Sequence, residues 1–114
     1  MEKDNKLSII GELAFNLAQA GVRLDQSRID GAGQGELAQA LEHNLQVWVE
    51  LSVRVKSHEC NLAEQVRDNL VTLCDFVADK TMKHGIEIPE STINTFVNIN
   101  FQISEGLLEG EAQR

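Results

Sequence analysis

The residues of this 114-residue chain that bear most directly on metal or nucleophilic chemistry are its three His and two Cys. His58 and Cys60 are near neighbours, and Cys74 follows fourteen residues after Cys60. A structural zinc site wants four ligands in closely spaced pairs. The chain has no Cys-x-x-Cys and no His-x-x-x-His, so no metal is expected. Nucleophilic catalysis needs a Cys or Ser beside a His base that a third group orients. No nucleophile elbow and no Gly-rich phosphate cradle is present, so neither catalytic residues nor a cofactor is expected. Two Cys do not make a disulfide framework. They read as reduced, partly buried thiols.

His43 carries one sharper hypothesis. Some four-helix bundles expose a phosphorylatable His mid-helix, with a Lys and a Gly shortly after it. The run here is HNLQVWVEL, which has neither. The favoured reading is a solvated helix-face His, and a histidine phosphotransfer domain stands as the alternative. Asn44, Asn69 and Asn100 sit beside or within apolar stripes, where Asn has poor helix propensity and a buried amide needs a partner. They either brace helices together or meet a partner's backbone. Three valines add a further question, because Val49 and Val53 project away from the Leu41–Leu45 face and Val47 lies on another. A second buried face follows: a wide core, a dimer seam, or a groove for a partner helix. The candidate partner-binding set is therefore Val47, Val49, Val53, Asn44 and Asn100.

Four segments position these residues. The first, about Asp4 to Arg28, carries Leu7, Ile10, Ala14, Leu17, Gly21 and Leu24 in steps of three and four, one stripe of a helix. Gly11 and Gly21 are expected to weaken it. The second, about Glu36 to His58, repeats the stepping with Leu37, Leu41, Leu45, Trp48, Ser52 and Val55. A strand reading competes, since Val47, Val49, Leu51, Val53 and Val55 alternate at period two. The helix-forming lead-in LAQALE and the lack of a pairing strand favour helix. The third, about Asn61 to Lys83, opens on an apparent Asn61–Glu64 capping box and is closed by Gly85 in a left-handed conformation. The fourth, about Pro89 to Leu108, starts at a Pro suited to a first turn. A Gly-rich joint falls near 31–35, and the polar tail 109–114 is expected to fray. The fold class is all-α: a single domain, 1–114, forming a small bundle of about four amphipathic helices.

Composition narrows the partners. Eighteen Asp and Glu against ten Lys and Arg give a formal net charge of −8. Nucleic acid and anionic membrane surfaces would be repelled. No run approaches the ~18 uncharged residues of a spanning helix. The N-terminus, MEKDNKLSII, is charged with both signs and does not read as a secretory signal. A cytoplasmic protein is expected.

Three ordered blocks resemble the FlaF family of flagellar biosynthesis regulators of alphaproteobacteria, across about Leu37 to Leu108. The first is ALEHNLQVWVEL, where Asn44, Val47 and Trp48 stand for an Asn and a following Leu-Trp-like pair, Val47 departing from the usual Leu. The second, NLAEQVRDNLVTLCDFV with Thr81, matches at Arg67, Leu70, Leu73, Phe76, Val77 and Thr81. The third, VNINFQISEGL, matches at Ile99, Asn100, Ile103, Gly106 and Leu107, with Phe101 where a basic residue is usual. The resemblance implies a cytoplasmic, non-enzymatic helper that binds flagellin and promotes its synthesis or export, in company with the regulator FlbT. A structural homodimer module is the further alternative.

Overall fold

The computed structural model describes residues 9–29, 33–57 and 62–112. Four helices account for most of them: α1 (Ile9–Gln26), α2 (Gly33–Lys56), α3 (Glu64–His84) and α4 (Glu90–Ala112). A single 3-10 turn, Gly85–Glu87, links α3 to α4. No strand occurs among the described residues, and the period-two run Val47–Val55 lies wholly within α2.

The ends of the helices differ from the sequence expectations in three places. Gly33 and Gly35 belong to the first turn of α2 and not to a joint, while Gly31 lies outside the described residues. The N-cap of α3 is Ala63, without a side-chain cap, and Glu64 is the first helical residue. A capping box with Glu64 at its third position is therefore not what starts this helix; Asn61 itself lies outside the described residues. Instead the Arg67 guanidinium turns back and donates to the Leu62 carbonyl oxygen at 2.6 Å. The tail expected to fray from Glu109 is helical to Ala112. Two expectations at the α3–α4 link hold. Gly85 ends α3 at a φ of 56°, where a side chain would be strained. Pro89 sits just before α4, and its carbonyl accepts the first helical bonds from Thr92 and Ile93.

Packing follows the stripes. Leu17 and Leu24 from α1, Trp48, Leu51 and Val55 from α2, Val77 from α3 and Phe96 from α4 are fully buried. The α1–α4 pair is the most extensive contact, and α2 packs on both α1 and α3. Gly21 has a structural use in the α1–α4 pair. A Cβ there would lie 3.2–3.3 Å from Phe101 and from the Asn100 Cβ, so this glycine lets α4 approach and is not simply a weak point of α1. Going round the bundle the order is α4, α1, α2, α3, and the fourth side, α3 against α4, is hardly in contact at the backbone level. Near the link the two helices are held by Phe76 and Phe96, edge to face at 6.0 Å.

Candidate functional site

Asn44 and Asn100 are fully buried, which removes both from any partner surface. They form the polar centre of the α1–α2–α4 junction. The Trp48 indole N–H donates to Asn100 Oδ1 at 2.9 Å. The Asn100 amide donates to Asn44 Oδ1 at 2.7 Å and to the Leu17 carbonyl oxygen at 3.1 Å. Ser104, one turn on, donates to the Ala14 carbonyl oxygen at 2.7 Å. These groups brace helices, the first of the two readings that the sequence left open. Asn69 differs from them and is exposed on α3.

The three valines do not share one surface. Val49 and Val53 are 46% and 57% exposed. Val47 is half-buried against the core. At about 100° per residue it lies some 120–160° round α2 from the other two. Val49 and Val53 thus remain an outward apolar edge of α2, and Val47 is a packing residue. His43 is half-buried, with Nδ1 closed off from solvent and without a hydrogen-bond partner. It lines a cleft of about 570 Å³ between α1 and α2 together with Phe15, Val22, Arg23 and Glu36. No group of three or more His, Cys, Asp or Glu among the described residues is arranged to hold a metal ion. His58 and Cys60 lie outside the described residues. Cys74 is buried, and burial, followed by the neighbouring Asp75 carboxylate, pushes its thiol pKa above the usual 9.0. Such a thiol is a poor nucleophile at neutral pH.

The sequence reading missed the open side of the bundle. Away from the Phe76–Phe96 contact, the facing sides of α3 and α4 leave an apolar groove of about 290 Å³. Leu62, Val66 and Leu70 form one wall. Ile103 and Leu107 form the other, with Gly106 and Gly110 between them and solvent. A Cβ at either glycine would meet nothing within 4 Å. Gly106 and Gly110 are one helical turn apart, the spacing that lets a second helix approach the backbone closely. The stretch Gln102 to Gly110 spans about 12 Å of α4, a little over two turns. No hydrogen bond or ion pair among the described residues joins α3 to α4. The glycine pair was the available signal: two Gly four apart in an otherwise helix-forming run have a structural cost that invites a reason.

The groove is an apolar trough with Gly106 and Gly110 along one edge and Gln102 as its polar lining residue. No helix of the described residues is long and apolar enough to cross a membrane. The sequence matches the model of a family described as Flagellar protein FlaF over residues 14–107, which takes in most of α1 and all of α2 and α3. No curated protein and no solved structure gives a significant match. The chain belongs to the FlaF family.

Proposed function

We propose that this member of the FlaF family is a non-enzymatic, cytoplasmic helper that binds flagellin and promotes its synthesis or export, in company with the regulator FlbT. The observation that carries the reading is the open α3–α4 seam, whose walls are aliphatic and whose Gly106–Gly110 edge is unobstructed. A subunit with long amphipathic helices must have their apolar faces covered before it assembles. A bundle that leaves one of its four sides unfilled supplies such cover by helix-in-groove docking. The formal charge of −8 keeps the complex soluble. The exposed Val49 and Val53 edge of α2 is a second surface that the same partner reaches if it wraps the bundle.

Calorimetric titration of the full chain with the flagellin encoded in the same genome tests this. Saturable one-to-one binding in the micromolar range or tighter is expected. An absence of heat and of co-sedimentation at those concentrations overturns the proposal. A concentration-dependent dimer in sedimentation, with no flagellin binding, would favour the homodimer module instead.

A further inference from the structure

We infer that the helix received between α3 and α4 is bordered by cations: an aliphatic stripe at i, i+3 or i+4, and i+7, flanked by Lys or Arg. This rests on the docking reading above and specifies the chemistry of the occupant. Along the open part of the seam the charged side chains beside the groove are Glu105 and Glu109 on α4, whereas Glu64 and Asp68 lie on the far face of α3, where they line a separate cleft with Lys56 and Arg67. The Arg67 guanidinium donates to the Leu62 carbonyl and faces that other cleft, beside Glu64 and Asp68, and does not line the groove. Glu105 and Glu109 are exposed and sit on the solvent side of Gly106, within about 100° of it on α4. Gln102 lines the groove from the same side.

An occupant whose backbone lies over Gly106 and Gly110 therefore carries its flanking side chains past two carboxylates. Cations there are attracted and carboxylates repelled, an effect that salt screens because the lips are wet. The same argument disfavours a second copy of this chain, which brings its own excess of eight negative charges.

The test uses the full chain and two fluorescein-labelled peptides of about 18 residues, long enough to form helix on docking. Both carry the same leucine stripe; one has Lys at the flanks and the other Glu. Anisotropy titrations are run at about 0.05 M and 0.5 M NaCl. The Lys-flanked peptide is expected to bind about three- to tenfold more tightly at low salt, from a few exposed ion pairs. The gap should narrow at high salt and in the double variant Glu105→Gln, Glu109→Gln, and Gly106→Leu should weaken both peptides. Equal affinities at low salt, or a gap unmoved by the double variant, overturn the charge inference. Unchanged binding of both peptides to Gly106→Leu overturns the placement. Flagellin is titrated in parallel, so the two readings separate. If flagellin binds and the peptides do not differ, only the charge inference falls. If the Lys-flanked peptide binds as expected and flagellin does not, the groove chemistry stands and flagellin is the wrong partner.

Discussion

Replacing Gly106 separates folding from docking, because the two are expected to move in opposite directions. Gly106 lies inside α4, six residues before its end at Ala112, and a Cβ there meets nothing within 4 Å. Glycine in a helix interior costs about 1 kcal/mol relative to Ala, chiefly through the freedom it gives the unfolded chain. With no clash to set against it, Gly106→Ala should stabilise the free protein by about 1 kcal/mol. For a domain of this length the unfolding entropy is about 0.24 kcal/mol/K, so the melting temperature should rise by about 4 °C. Gly106→Leu should be stabilising for the same reason, since Leu is also a good helix former. In the complex the larger side chain occupies the space that the partner's backbone needs. Overpacking a close helix contact costs about 1–3 kcal/mol, which is roughly five- to 150-fold in affinity. Calorimetry on the two variants reads unfolding, and titration with flagellin reads binding. A Leu variant that melts higher and binds flagellin as tightly as the parent would refute the groove as the docking site. A variant that melts several degrees lower would show that the seam is closed in solution, and the premise itself would fall.

Three further outcomes follow from named contacts. Asn100→Ala strips partners from the Trp48 indole N–H and the Asn44 carbonyl oxygen in a fully buried site; a loss of about 3–5 kcal/mol is expected, read as a lowered urea midpoint and a changed Trp48 emission. Val49→Asp and Val53→Asp should each change stability by no more than about 1 kcal/mol and leave helicity intact, because both side chains are about half exposed; unfolding of either by circular dichroism would place them in the core, and weakened flagellin binding would add the α2 edge to the interface. The Cys74 thiol, raised by burial and by Asp75, stays protonated in the fold at pH values where the unfolded thiol ionises. The unfolded state then binds fewer protons, so stability falls as pH rises past the ordinary thiol value of 9.0. The decline in urea midpoint between about pH 7 and pH 10 should be smaller in Cys74→Ala than in the parent; equal declines would show that burial does not hold the thiol neutral.

The helices were legible because burial in this chain follows their period. Ile10, Ala14, Leu17 and Leu24 read as one stripe of α1, and all four are buried. The strand signal in Val47–Val55 failed for a physical reason: period two marks two faces only if both faces differ in burial, and here Leu51 and Val55 are buried while Val49 and Val53 are not. The end of α3 was readable from Gly85, whose backbone position demands a particular residue. Its start was not, since Asn61 and Glu64 resemble a capping pair in spacing, yet the helix begins too late for Glu64 to serve. The groove was hidden by the same periodicity that revealed the fold. Val66, Leu70, Ile103 and Leu107 all read as core, yet only Leu70 and Leu107 are buried while Val66 is exposed and Ile103 half-buried, because spacing says which residues share a face and not whether another helix covers it.

The placement of polar groups separates the fixed sides of the bundle from the open one. The α1–α4 contact and the approach of α4 to α2 contain buried donors and acceptors at Asn44, Trp48, Asn100 and Ser104 that pair in one register. A slip of α4 along α1 would strand several of them, each at a cost of about 1–3 kcal/mol. Between α2 and α3 the Ser52 side chain sits beside the Cys74 thiol. Between α3 and α4 the described residues make no hydrogen bond, and the walls there are aliphatic with two glycines. An apolar contact is non-directional and tolerates a change of partner. A bundle that must hold its own shape and also accept a foreign helix needs its directional bonds on the sides that stay together. On the docking proposal the α3–α4 side needs none, and none is found there among the described residues.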